Sequence, residues 1–158
     1  MFELSRIRLV CLDVDGTLTD GRLLYGPDGV SQFFSARDGE GVMGLLRSGL
    51  EVALVSLRDF PATRRRAADL GIPHLALGCR RKEEALLKLC DFLHVSPEEA
   101  LFMGDDRNDL AAMELAGVAA CPCDACPEVL EVCSLKSSAP GGGGAVREVA
   151  EMILEARR

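Results

Sequence analysis

Ile7-Arg8-Leu9-Val10-Cys11-Leu12-Asp13-Val14-Asp15-Gly16-Thr17-Leu18-Thr19 runs almost unbroken through apolar side chains as far as Leu12 and then turns acidic. Such a run suits a strand covered on both faces, as in a parallel sheet, rather than one with a wet side. It predicts a first strand over residues 7–12 with Asp13 at its carboxyl end, the edge where open parallel sheets bind their ligands.

Outward from that strand, apolar β-branched runs alternate with helical patterns to the end of the chain, which points to an α/β, Rossmann-like fold: a parallel sheet flanked by helices. A β-hairpin is expected at about residues 22–35, because Gly26-Pro27-Asp28-Gly29 suits a tight turn between two short apolar segments. A helix should begin after Asp38 and stop at Gly49, followed by a strand over 51–55. Pro61 to Leu70 reads as a helix with Pro at its start and Gly71 just past its end. A strand at 74–77, a helix from Lys82 to about Leu93 and a strand at 100–103 follow. A helix over 110–116, a last central strand at 118–120 and a short helix at 127–132 complete this part. Gly141 to Gly144 reads as a flexible connection into a final helix ending near Arg157.

The 158 residues fit one domain. With 48% hydrophobic and 27% charged residues the chain is globular, and it holds no apolar run near the ~20 residues of a membrane span. Met1 to Arg8 lack the pattern of a secretory leader, so the expected compartment is the cytoplasm and no membrane partner is expected. A net charge of −7 argues against nucleic acid as a partner, since such binding depends on clustered Lys and Arg. Two basic spots, Arg64-Arg65-Arg66 and Arg80-Arg81-Lys82, either meet a small anion or form solvated helix faces. Seven cysteines in a chain large enough for its own core fit reduced thiols better than a disulfide framework. Cys121, Cys123, Cys126 and Cys133 superficially offer four thiolates to zinc, but not in paired CxxC spacing, and small buried hydrophobes explain them as well.

Polar residues follow three apolar runs directly: Asp13 and Asp15 after the first, Ser56 after the second, and Asp105, Asp106 and Asp109 after a later one. Carboxylates gathered at one sheet edge repel one another, and a hard cation with oxygen ligands relieves that repulsion. Magnesium fits, because it accepts few protein carboxylates and keeps waters and phosphate oxygens.

These residues also carry a resemblance. Asp13-Val14-Asp15-Gly16-Thr17-Leu18-Thr19, Ser56, Lys82 and Gly104-Asp105-Asp106-Arg107-Asn108-Asp109 resemble, in order, the four motifs of the haloacid dehalogenase superfamily. Thr19-Asp20-Gly21, Arg37-Asp38-Gly39, Leu70-Gly71-Ile72 and Gly144-Ala145-Val146-Arg147-Glu148 resemble its small capless branch, which includes 3-deoxy-D-manno-octulosonate 8-phosphate phosphatases and nonulosonate 9-phosphate phosphatases. The resemblance implies a phosphomonoester hydrolase with Asp13 as nucleophile and Asp15 as general acid and base. It implies Mg2+ held by Asp13, the backbone carbonyl of Asp15, and Asp105. Ser56 would donate to the phosphoryl group, Lys82 would neutralise it, and Asp106 and Asp109 would orient the lysine and metal waters. Gly16, Leu57, Arg58 and Arg66 would contact a phosphorylated sugar acid, and the hairpin would pack between subunits of a homotetramer.

Arg58 favours an octulosonate, because its fork can grip a sugar-acid carboxylate where the nonulosonate branch tends to carry glutamate. Leu57 stands where glycine is usual and Gly143 where the family commonly has arginine, while Arg80-Arg81 before Lys82 makes the expected site entrance more basic. Two readings compete from other classes. One is a degenerate oligomerisation module, against which the intact acidic set speaks; the other is a zinc-thiolate protein.

Overall fold

The computed structural model describes residues 4–158; residues 1–3, the start of the stretch read as lacking a leader, lie outside it. The strands β1 (Leu9–Leu12), β4 (Glu51–Ser56), β5 (His74–Leu77), β6 (Ala100–Met103), β7 (Val118–Cys121) and β8 (Leu135–Lys136) form one sheet in the order β5-β4-β1-β6-β7-β8. Every pairing in it is parallel. The strands β2 (Leu24–Gly26) and β3 (Gly29–Ser31) form the separate antiparallel hairpin, closed by Pro27 and Asp28. An antiparallel bridge between Thr19 and Phe34 fastens its base.

Among the described residues, six α-helices cover the sheet. On one face, α1 (Ala36–Arg47), α2 (Pro61–Leu70) and α6 (Ala145–Ala156) pack on Val10, Leu12, Val52 and Leu54. On the other, α3 (Lys82–Leu93), α4 (Leu110–Leu115) and α5 (Pro127–Val132) pack on Leu9, Cys11, Ala53 and Val55. Alternate residues of β1 therefore enter different cores, which is why its sequence carries no polar face. Full burial of each Leu or Val side chain contributes about 1.5–3 kcal/mol of transfer free energy.

Several boundaries differ from expectation. β1 begins at Leu9 rather than Ile7, whose carbonyl is taken by the Arg157 guanidinium at 2.7 Å. Helix α1 starts at Ala36, with Ser35 as its cap, so Asp38 lies inside the first turn. There Asp38 is 1% exposed and accepts N–H bonds from Gly144 and Arg147, capping α6 instead of opening α1. The final strand β8 has only two residues, too few for periodicity to reveal.

The glycine run is not a loose connection. A methyl group on Gly141 would lie 1.8 Å from the Gly16 carbonyl oxygen, and one on Gly142 would lie 2.5 Å from the Asp20 nitrogen. Gly142 N–H donates to the Thr17 carbonyl, and Gly141 N–H to the Asp124 carboxylate. The glycines permit backbone to lie on backbone, which fixes the loop after β1 from behind.

Candidate active site

Neighbouring strand ends assemble the site. Asp13 continues the ladder beyond β1 by donating its N–H to the Met103 carbonyl at 2.9 Å, which puts it beside the end of β6 and hence beside Asp105. The loop over residues 14–18 then curls back, with Gly16 at φ +95. A methyl group there would stand 2.0 Å from Asp105 Oδ2, so the position needs both the left-handed backbone and the missing side chain.

A cleft of about 120 Å³ opens over these ends, lined by Asp13, Asp15, Ser56, Leu57, Arg58, Asp105, Asp106 and Asn108. A larger groove of about 620 Å³ runs along β5 and α3 and includes Arg80, Arg81 and Glu84. The smaller cleft holds the reactive groups, and volume alone does not make a site. Arg81 pairs with Glu83 and Glu84 on its own helix end, so the basic entrance expected of Arg80-Arg81 belongs to the larger groove and not to the acidic cleft.

Beneath the cleft, Lys82 is buried to its tip. Its Nζ lies 2.6 Å from Asp13 Oδ1 and 2.6 Å from Asp109 Oδ1. Asp109 Oδ2 accepts the N–H groups of Asp105 and Asp106, so both oxygens of this buried carboxylate are engaged. Thr17 donates towards Asp13 Oδ2 at 3.3 Å and Asp105 Oδ1 at 3.4 Å, bridging the two acidic segments.

Burial, with Asp105 adding to it against the pull of Lys82, pushes the Asp13 carboxyl up to about 7. Burial and the charges of Asp109 and Asp106 push Asp105 up to about 6. For Lys82, burial disfavours the ammonium, but Asp13 and Asp109 outweigh it and hold its pKa above the ordinary value. Negative charge is therefore crowded beyond what one lysine balances.

Among the described residues, Asp13, Asp105 and Asp109 form the one group of three metal-ligating side chains whose donor atoms all lie within 4.8 Å of one another. Asp109 is already engaged by Lys82 and two backbone N–H groups and does not line the cleft, so of these three carboxylates Asp13 and Asp105 face it. Their hard oxygen donors and strained charge balance fit a small divalent cation. The four cysteines form no comparable group: Cys121 and Cys133 are buried, while Cys123 is exposed.

The remaining expected site residues divide. Ser56 lies in the cleft, its hydroxyl accepting the Arg58 N–H at 3.3 Å. Arg58 Nη1 lies 3.6 Å from Asp15 Oδ2, and half-exposed Leu57 forms part of the wall. Asp106 stands at the rim and accepts the Arg107 N–H, so of the two aspartates expected to orient Lys82 only Asp109 touches it. Arg66 does not reach the cleft: its Nη2 donates to the Ser35 carbonyl at 3.1 Å and its guanidinium lies over Phe34. Gln32, Thr17, Thr63 and Asn108 were not assigned from sequence. A single amide in the apolar segment Val30-Ser31-Gln32-Phe33-Phe34 is the signal that could have drawn attention to Gln32.

This architecture, with an aspartate pair after the first strand and a lysine-bound acidic loop after β6, is that of a haloacid dehalogenase-like hydrolase, and the family model of that description matches residues 78–139. The 3-deoxy-D-manno-octulosonate 8-phosphate phosphatase of Haemophilus influenzae is 40% identical over 156 residues, spanning 98% of this chain and 87% of the relative. The phosphatase of that name from Moraxella catarrhalis, solved with a magnesium ion, a phosphate ion and a KDO molecule, superposes with a TM-score of 0.95 at 35% identity, over 98% of this chain and 90% of that one. The cobalt-bound Haemophilus influenzae enzyme gives a TM-score of 0.95 at 40% identity, over 98% and 91%. The chain belongs to the haloacid dehalogenase superfamily, in the branch of these octulosonate phosphatases.

Proposed function

We propose that this protein is a magnesium-dependent phosphatase that hydrolyses 3-deoxy-D-manno-octulosonate 8-phosphate through an aspartyl-phosphate on Asp13. The observation that carries the reading is the approach of Asp13 and Asp105 across one strand pair, with Lys82 fixed beneath Asp13. Magnesium would be held by the carboxylates of Asp13 and Asp105 and the carbonyl of Asp15. When bound it offsets the charge between an anionic nucleophile and an anionic ester.

The protein's own groups do the rest. Lys82 holds Asp13 in one rotamer and keeps positive charge beneath the phosphoryl group. Asp13 attacks phosphorus while Asp15 gives a proton to the departing sugar oxygen. Asp15, now a carboxylate, then takes a proton from the water that hydrolyses the acyl phosphate, which returns both aspartates to their starting forms. Ser56 turns its hydroxyl to the phosphoryl oxygens. Arg58, half-exposed at the rim, is the group for the substrate's carboxylate, which favours an octulosonate over a sugar without an acid function. Leu57 narrows the opening beside it.

Exposed Leu24, Tyr25 and Phe33, at 58%, 75% and 62% exposure, give the hairpin an apolar surface suited to packing in a homotetramer. Among the described residues no helix is long and apolar enough to cross a membrane.

Phosphate release from the octulosonate 8-phosphate and from a nonulosonate 9-phosphate, with magnesium or with chelator, tests the reading. Asp13→Asn is expected to fold and to lose more than about 10³-fold in kcat. Equal turnover in the variant would remove Asp13 as the nucleophile.

A further inference from the structure

Asp15 is held by a residue outside the recognised motifs. Gln32, between β3 and α1, donates from Nε2 to Asp15 Oδ1 at 2.8 Å. The hydroxyl of Thr63, on α2 and 2% exposed, donates to Gln32 Oε1 at 2.8 Å. The Thr63 hydroxyl thereby fixes which way the amide points: its oxygen is occupied from behind, so its N–H faces the carboxylate. Among the described residues, the one other polar contact of the Asp15 side chain is with Arg58, at 3.6 Å and from a half-exposed guanidinium.

We infer that Gln32, braced by Thr63, is a positioning residue for proton transfer by Asp15. The inference rests on the phosphatase reading with Asp15 as acid and base. The amide occupies Oδ1, so the proton is carried on Oδ2, whose neighbouring Arg58 guanidinium, at 3.6 Å, lies beyond hydrogen-bond distance. In the first half-reaction the Asp13 oxygen-to-phosphorus bond forms, the bond from phosphorus to the sugar oxygen breaks, and the proton on Oδ2 moves to that oxygen. Without Gln32 the carboxylate is free to swing towards Arg58, and an error of about 1 Å in such a group costs up to ~100-fold in rate.

The arrangement also joins the acid and base to the hairpin. Gln32 lies just beyond β3, and the bridge from Thr19 to Phe34 fixes the base of the hairpin two residues further on. Movement of the hairpin segment that carries Gln32 would thus reach the Asp15 carboxylate through this side chain.

A merely structural role for Gln32 is separable by leaving group. The sugar oxygen must be protonated to depart, whereas the phenolate of p-nitrophenyl phosphate departs without a proton. The quantity kcat/KM reports the step that releases either one. Gln32→Leu is expected to lower the ratio of sugar-phosphate to aryl-phosphate kcat/KM about tenfold, a fraction of the ~10²–10⁴ that general acid catalysis supplies. Thr63→Val is expected to lower the same ratio about threefold, a smaller fraction of that contribution, and Thr63→Ser, which keeps the hydroxyl, restores it. Thermal melting of each variant checks folding.

Equal losses on both esters, or an unchanged ratio in folded Gln32→Leu, would overturn the inference while leaving the phosphatase reading intact. The variant Asp15→Asn separates the two: if it leaves the ratio unchanged, Asp15 is not the acid and both readings fall.

Discussion

Replacement of Lys82 by methionine removes one positive charge from a site where it serves two buried carboxylates, and the cost can be estimated from the contacts. The lysine side chain is 1% exposed, as against 6% for Asp13 and 0% for Asp109, and both contacts are 2.6 Å. Methionine preserves most of the apolar stem, so the change isolates the ammonium. Removal of one member of a buried ion pair costs about 3–5 kcal/mol, because the partner is left as an uncompensated buried charge. At roughly 2–4 °C per kcal/mol for a chain of this size, the melting temperature in chelator should fall by about 6–20 °C. Urea unfolding should show a lower midpoint at unchanged slope. The double variant Lys82→Met with Asp109→Asn should recover part of the loss, since one of the two stranded charges goes with it. A Lys82→Met protein within about 1 kcal/mol of the parent, well below that range, would refute the claim that this triad is a desolvated electrostatic unit.

Two further predictions concern the C-terminal part. Gly141→Ala forces a methyl group against the Gly16 carbonyl and should cost about 1–3 kcal/mol as overpacking, while lowering turnover through the displaced nucleophile loop; Gly26→Ala, whose nearest neighbour would be 3.7 Å away, serves as the comparison in melting and activity assays. Glu148 accepts bonds from the Ser137 and Ser138 hydroxyls and from the Ser138 and Ala139 N–H groups, which holds its carboxyl below the usual range. A depressed folded value means a stability contribution present above the unfolded value of about 4.3 and lost as pH falls through the folded one, so the melting difference between parent and Glu148→Gln should be widest near neutrality and close towards pH 3. A constant difference across that range would refute it.

The fold was legible because parallel strands covered on both sides leave apolar runs, and because the acids that end them are too closely grouped to be incidental turns. Asp13, Asp105 and Ser56 could be found in this way, each at a strand end, while Lys82, at the start of a helix, was marked by the resemblance to a known motif. Gln32 could not, since its role depends on a fold-back over 17 residues of sequence to Asp15 and a further contact from Thr63 on another element. Arg66 and Arg81 misled for the opposite reason. Charge suggests a ligand until geometry reveals a carbonyl or a glutamate that already satisfies it. The glycine run was read for its freedom, whereas its use is the close approach of two backbones, a property of the partner segment that no local pattern contains.

The aspartate and its distant counterpart lie just past the ends of two paired strands, whose last rung sets Leu12 opposite Met103. Their separation is therefore set by the repeat between hydrogen-bonded strands, about 4.8 Å, and hardly at all by the long excursion of chain that joins them. That excursion can lengthen, shorten or acquire an inserted module without retuning the gap in which an ion must fit, so descendants of such a sheet are free to change what they recognise while the reacting pair keeps its gauge.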